Sequence, residues 1–326
     1  MADVEPRPLV LDVDTGIDDM VALLIAATAP ELDLRGVTCV AGNVELQHVA
    51  RNTGTLLHLV GRPDVPVSVG AARPLERPLR TAPETHGPTG TGYARLAGSE
   101  APLGDTDFTA VPAARYLAAH LERHPSEVTV VALGPLTNLA SAVRNAVDFA
   151  NGAREVIWMG GTLRTRGNTT PTGEWNACVD PEAAELCFGA GAIHRIFPLD
   201  TTQGILFTED DFANLPASQL GTIVHDAMRF YIEYHRLADG VNGCYLHDAV
   251  TVVGALLQPD LLTDVESVRI SVDTSADPEQ AGTLLPSTDE QRTPVRVAGI
   301  GEPLLLKREI LTRLGRAVAN APQGGF

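Results

Sequence analysis

Between Leu9 and Leu23 the chain reads Leu-Val-Leu-Asp-Val-Asp-Thr-Gly-Ile-Asp-Asp-Met-Val-Ala-Leu. Four carboxylates, Asp12, Asp14, Asp18 and Asp19, fall within eight positions. Acids this crowded repel one another unless a cation or shared protons relieve them. A donor set of oxygens alone, with no Cys or His beside it, favours a hard cation such as Ca²⁺ or Mg²⁺ over zinc. Capping of the following helix explains part of the charge, because Asp at a helix start accepts backbone N–H bonds. Capping needs one acid, however, and there are four.

The apolar run before the aspartates reads as a buried strand, Gly16 as a tight turn, and Met20 to Ala27 as a helix. The carboxylates therefore sit beyond the carboxyl end of a strand, where open α/β sheets bind their ligands. An EF-hand loop is excluded, since Gly16 is fifth rather than sixth from Asp12 and position 23 is Leu. A phosphatase of the haloacid dehalogenase class, with Asp12 as nucleophile and Asp14 as acid, shares Asp12-Val13-Asp14-Thr15 but has Gly16 out of place. It would also need a lysine partner, and the single lysine, Lys307, lies outside any motif.

Further strand-to-loop exits carry polar residues. Leu32 to Val40 reads as a strand leading to Gly42-Asn43, where Asn43 is a turn residue or a second polar group at the same crevice. Val44 to Val60 has helical spacing. Residues 61–108 are rich in Pro and Gly, and Gly87, Gly90 and Gly92 after His86 suggest a lid that brings His86 to a ligand on closing. Thr109 to Arg123 is expected as a helix capped by Thr109. Glu127 to Leu133 reads as a strand, Leu139 to Val147 as a helix, and the Gly134-Pro135 turn is expected to leave the Leu133 carbonyl unpaired and free for a hard metal.

Glu155 to Met159 is another strand. After a long loop, alternation across Glu174-Trp175-Asn176 would send the Glu and Asn one way and the indole the other. Asp180-Pro181 opens a helix with Asp as cap and Pro at its first position. Ile193 to Phe197 is a strand. Leu215 to Ala238 is a long or broken helix whose Tyr231, Tyr234 and His235 suit core packing or contact with an aromatic ligand. His247-Asp248 precedes an apolar helix, Ala249 to Leu257. Asp248 would cap it or ligate metal, while His247 points elsewhere and donates a proton. Strands at 265–272 and 295–298 and a helix at 303–319 close the chain.

The string Asp12-x-Asp14-x-Gly16-x-Asp18-Asp19 resembles the amino-terminal signature of the inosine-uridine preferring nucleoside hydrolases. Gly42-Asn43, His86-Gly87, Gly134 to Asn138, Met159-Gly160-Gly161, Asn168, Glu174-x-Asn176, Asp180-Pro181-Glu182-Ala183 and His247-Asp248 match the family pattern in order. The resemblance implies one Ca²⁺ held by Asp14, Asp19, the Leu133 carbonyl and Asp248. It implies ribose hydroxyls bound by Asp18, Asn43, Asn168, Glu174 and Asn176, with Met159 beneath the sugar and Asp248 shared between ion and substrate. Asp14 would deprotonate a water oriented by the ion, and His247, with His86 or an aromatic of the Tyr231 helix, would assist the leaving base. Trp175 stands where the family more often has Phe. A catalytically inert ribose- or nucleoside-binding protein is the alternative from a different class.

The length of 326 residues and 44% apolar content allow a large core. The expected fold class is α/β: a single domain over 1–326 with an open, mostly parallel (mixed) sheet flanked by helices. Mobile loops are expected near 80–92 and 229–246, and a loose tail over 320–326. A net charge of −17 argues against nucleic acid and anionic membrane as partners. The amino terminus shows no signal segment and no run reaches membrane-spanning length. Cys39, Cys178, Cys187 and Cys244 lack metal spacing and read as buried thiols of a cytoplasmic protein. The family resemblance also implies a homodimer or homotetramer.

Overall fold

A computed structural model describes residues 5–96, 109, 111–145 and 149–322. Eight strands form one sheet: β1 (Arg7–Val13), β2 (Leu32–Cys39), β3 (Val67–Val69), β4 (Thr129–Ala132), β5 (Glu155–Met159), β6 (Arg195–Phe197), β7 (Leu262–Val268) and β10 (Val295–Ile300). Their order is β3-β2-β1-β4-β5-β6-β10-β7, parallel throughout except that β7 pairs antiparallel with β10 at the edge. The short strands β8 (Ile270–Val272) and β9 (Leu284–Pro286) make a separate antiparallel pair.

Continuous apolar runs suit strands covered on both faces. Alternation along β1 sends Leu9, Leu11 and Val13 into one core and Val10 into the other. On the first face the sheet packs against Ile17–Thr28, Leu46–Leu59 and the closing helix Pro303–Asn320; on the second, against Ala113–Arg123, Thr137–Asn145 and Pro181–Gly189. The chain winds outward from β1 through β2 to β3, then resumes at β4 on the other side of β1 and winds the opposite way. This reversal between β1 and β4 opens a crevice at their carboxyl ends. The loops after Val13 and Ala132, with Asp14 and Leu133, lie there.

Several local expectations are corrected. The helix expected from Thr109 begins at Ala113 with Pro112 as its N-cap, because the residue before a proline is driven to extended backbone. Thr109 instead forms a β-bridge with Ser68 of β3. Glu174, Trp175 and Asn176 do not form a strand. Glu174 caps the helix Trp175–Val179, its carboxylate accepting the N–H groups of Asn176 (2.9 Å) and Ala177 (3.2 Å). The helix after His247-Asp248 starts at His247 itself, and its last turn widens to a π-helix over Val253–Leu257. Within 229–246, residues up to Ala238 are the last turns of the helix Gln219–Ala238. Thr137–Asn145 replaces the expected Leu139 to Val147, and Val147, 97–108 and 323–326 lie outside the described residues.

Candidate active site

The loops after β1, β2 and β4 bring polar groups to the crevice, and glycines allow them to approach. A Cβ on Gly42 would lie 2.1 Å from Asp14 Oδ2, and one on Gly16 would lie 2.5 Å from His86 Nδ1. The Asn43 N–H donates to Asp14 Oδ2 (2.8 Å) and the Asn43 side-chain amide to Asp19 Oδ2 (3.1 Å). Asp19 also accepts the Gly16 N–H (2.9 Å) and the Asp14 N–H (3.3 Å), so it caps the helix Ile17–Thr28 while facing the cluster. Asp248 occupies the first turn of the helix His247–Val252 without capping it.

Oxygens of Asp18, Asp19 and Asp248 lie within 4.8 Å of one another, and Asp14 Oδ1 is buried with no partner. Burial first, then the neighbouring Asp19, pushes the Asp14 and Asp18 carboxyls well above the ordinary range. Burial, then Asp18 and Asp19, does the same to Asp248. Burial raises Asp19 less, to about 6, because its N–H partners oppose it. A buried set of carboxylates that favours protons in this way, with an orphan oxygen and no nitrogen or sulfur donor, fits a hard cation.

Above the cluster lies a cavity of about 180 Å³, sized for a small molecule rather than a polymer. Asp18, Asn43, His86, Leu133, Met159, Asn168, Glu174, Asn176, His247 and Asp248, singled out in the sequence, all line it. Asp14 and Asp19 are fully buried and lie outside that lining. The Leu133 carbonyl is not unpaired, since the Asn176 amide donates to it (2.7 Å) and to the Met159 carbonyl (3.0 Å). One lone pair of the Leu133 oxygen remains for a cation. The indole of Trp175 is not turned away but shares the lining, with the Arg80 guanidinium 5.9 Å from its ring centroid.

Glu174 accepts the Gly161 N–H (2.7 Å) besides its two capping bonds, yet burial raises its carboxyl to about 7. Asn168 Oδ1 accepts the Trp175 N–H (2.9 Å). His86 needs no closing motion to reach the site. It is buried in the wall, its Nδ1 accepting the Ile17 N–H (3.1 Å), which leaves its proton on Nε2. His247 shares a hydrogen bond of 2.7 Å between Nδ1 and Thr202 Oγ1.

The phosphatase alternative fails on geometry. Asp12 lies outside the cavity, tying β1 to Thr38 Oγ1 (2.5 Å) and to the Asn138 amide (2.8 Å), and Lys307 pairs with Asp211 (2.7 Å). Residues that the sequence did not single out also line the cavity: Arg80, Glu84, Thr85, Thr169 and Asp239. Tyr231, Tyr234 and His235, ambiguous in sequence, line it as well. Asp239 could have been found from its spacing four residues beyond His235 at a helix end.

A family model described as inosine-uridine preferring nucleoside hydrolase matches residues 9–301. Uridine nucleosidase 1 of Arabidopsis thaliana is 38% identical over 258 residues, covering 78% of this chain and 75% of that protein. A non-specific ribonucleoside hydrolase of Salmonella enteritidis is 37% identical over 271 residues, covering 82% and 84%. Among solved structures, a plant nucleoside hydrolase superposes with a TM-score of 0.86 at 33% identity, covering 95% of this chain and 99% of that one. A purine-preferring ribonucleoside hydrolase from Gardnerella vaginalis gives 0.86 at 27% identity, covering 97% and 100%.

Proposed function

The chain belongs to the inosine-uridine preferring nucleoside hydrolase family and is a hydrolase of ribonucleoside N-glycosidic bonds, and we propose that it works with Ca²⁺, with Asp14 as general base and His247 assisting the leaving base. The observation that carries this reading is the unpartnered Asp14 Oδ1 buried beside the Asp18, Asp19 and Asp248 carboxylates under the cavity. Asp14, Asp19, Asp248 and the Leu133 carbonyl would hold the ion. When bound, Ca²⁺ supplies a positive charge against which the 2′ and 3′ hydroxyls and the attacking water are ordered.

The residues of the chain then divide the work. Asp18, Asn43, Asn168, Glu174 and Asn176, all lining the cavity, would hold the ribose hydroxyls, above Met159. Holding water and ribose in one geometry removes much of the entropic barrier to attack at C1′. Asp14 takes the water proton as the new bond forms. As C1′ acquires oxocarbenium character, the surrounding carboxylates stabilise it. His247, oriented by Thr202, hydrogen-bonds the departing base, and His86 presents its Nε2–H from the facing wall.

Uridine and inosine are the substrates to try first, since the family and the similar uridine nucleosidase are named for them. The free, buried cysteines support a reducing cytoplasmic setting. The test measures reducing sugar released from both nucleosides by the wild type, by the chelator-stripped protein with and without added Ca²⁺, and by Asp14→Ala. Turnover that needs Ca²⁺ and falls by at least 100-fold in Asp14→Ala, within the range for a lost general base, is expected. Full activity in that variant removes Asp14 from the chemistry, and binding without turnover in the wild type leaves the inert binding protein as the reading.

A further inference from the structure

Asp12 is a fully buried carboxylate that the chemistry of the cavity does not use. Its Oδ1 accepts the Thr38 hydroxyl (2.5 Å) and the Asn138 side-chain amide (2.8 Å), while its Oδ2 is buried with no partner. Burying a carboxylate with one oxygen unserved costs free energy, and a strand that needed only to be covered would carry an apolar residue there. The Asp12 carbonyl also accepts the Leu133 N–H (2.8 Å). Asn138, in the first turn of the helix Thr137–Asn145, donates to the Cys39 carbonyl (3.0 Å) and accepts the Ala71 N–H (2.9 Å). Thr38 and Cys39 end β2, and Ala71 follows β3. One buried side chain thus joins β1 to the ends of β2 and β4 and, through Asn138, to the segment leaving β3.

We propose that Asp12 is a positioning residue which, through Thr38 and Asn138, fixes the separation of the Asp14 carboxylate from the Leu133 carbonyl and so makes the acidic cluster select Ca²⁺ over Mg²⁺. The inference rests on the reading of that cluster as the site of a hard divalent ion. Asp14 leaves β1 two residues after Asp12, and Leu133 is the first residue after β4. Each is braced from a second side. The Asn43 N–H donates to Asp14 Oδ2 (2.8 Å), the Asn176 amide to the Leu133 carbonyl (2.7 Å), and the Trp158 indole N–H to the Gly134 carbonyl (3.1 Å). Glycines let these parts close up: a Cβ on Gly70 would lie 2.2 Å from Asn138 Oδ1, and one on Gly134 would lie 2.9 Å from Asp14 Oδ1.

Size is what such a frame can discriminate. Ca²⁺ accepts about six to eight oxygens at about 2.3–2.6 Å in adaptable geometry, whereas Mg²⁺ demands a near-octahedral set at about 2.0–2.1 Å. To serve Mg²⁺, each protein ligand would have to draw in by roughly 0.3–0.5 Å. Ligands on free loops could follow. Ligands on strand ends that are cross-linked beneath the site cannot, unless bonds at Asp12 or Asn138 break. Asp12 lies outside the cavity lining, so it acts on the ion only through the ligands it holds, as residues behind a coordination shell commonly do.

The test measures Kd for Ca²⁺ and for Mg²⁺ by calorimetric titration of the chelator-stripped wild type, Asp12→Asn, Asp12→Ala and Asn138→Ala, with thermal unfolding of each metal-free protein as a check on the fold. Asp12→Asn keeps an oxygen that can accept both bonds and removes the charge, so its ratio of Mg²⁺ to Ca²⁺ Kd is expected to stay within a few-fold of the wild type. Asp12→Ala and Asn138→Ala cut the tie, and each is expected to lower that ratio on the order of tenfold, with Ca²⁺ bound more weakly. A merely structural role would lower Tm and weaken both ions alike, leaving the ratio where it was. Thr38→Val, which removes a single bond at nearly constant volume, decides the matter if the alanine variants do not fold: the ratio should fall several-fold. An unchanged ratio in any variant that cuts the tie, a ratio lost in Asp12→Asn, or a wild type that binds Mg²⁺ as tightly as Ca²⁺ overturns the inference and leaves the ion site standing. A wild type that binds neither ion overturns the ion site as well.

Discussion

At the scale of single residues, the site depends on side chains too close together to be replaced by larger ones. Gly42 has no room for a methyl group, whose carbon would lie 2.1 Å from Asp14 Oδ2 and 2.8 Å from Pro135 Cδ. The carboxylate would have to turn, breaking its bond from the Asn43 N–H. A displacement of about 1 Å at a reacting group can cost on the order of 100-fold in rate. Gly42→Ala is accordingly expected to lose at least tenfold in kcat/KM on uridine and to bind Ca²⁺ more weakly, read by steady-state kinetics and by calcium titration. Unchanged values on both would show that the Asp14 carboxylate is not held where catalysis needs it. Asp14, Asp18, Asp19 and Asp248 were legible in the sequence because charge at the end of an apolar strand or the start of an apolar helix has few structural uses. Whether His235 and Asp239 face the cavity was not, since spacing on a helix pairs the two without saying which face meets a cavity. Only the packing of that helix against His86 and Tyr245 decides it.

At the scale of elements, the strand–turn–helix rhythm could be read directly, because buried parallel strands and amphipathic helices have different periods. The loops that carry the ligands could not, since their shape is fixed by distant partners. The loop after β5 shows this. Asp200, in the short helix Leu199–Thr202 after β6, accepts the N–H groups of Leu163 (2.8 Å), Arg164 (2.8 Å) and Thr165 (3.0 Å) and the Thr162 hydroxyl (3.1 Å). Burial alone would raise its carboxyl, but these bonds outweigh burial and leave it below the usual range. The same loop delivers Asn168 to the cavity. Asp200→Ala removes every one of these acceptors while touching neither the acidic cluster nor the histidines. It is expected to raise KM for uridine several-fold, with kcat changed less and calcium affinity unchanged. A fall in calcium affinity equal to the change in KM would mean that the loop supports the whole site rather than the sugar end.

At the scale of the whole molecule, burying Asp14, Asp18, Asp19, Asp248 and Glu174 together sets stability against function. Burial raises Glu174 to about 7 and Asp19 to about 6, so the folded, metal-free protein binds these protons more tightly than the unfolded chain, whose carboxyls titrate near 4. A group shifted upward contributes stability that is fully present below its unfolded pKa and is lost as the pH rises through its folded pKa. The metal-free protein is therefore expected to lose stability between roughly pH 4 and pH 7 from these groups, a window set by the ordinary and raised values together. A divalent cation replaces the protons, stabilising the fold in proportion to the logarithm of its concentration over Kd. Because it competes with protons, its Kd falls as the pH rises. Thermal unfolding of stripped and calcium-loaded protein at pH 5 and pH 8 tests the linkage. The rise in Tm on adding Ca²⁺ should be larger at pH 8, and calcium binding near pH 6 should release protons, measured by calorimetry in buffers of different ionisation enthalpy. An equal rise at both pH values, with no proton release, would mean that the buried acids are ionised without the metal and that some other charge of the chain compensates them.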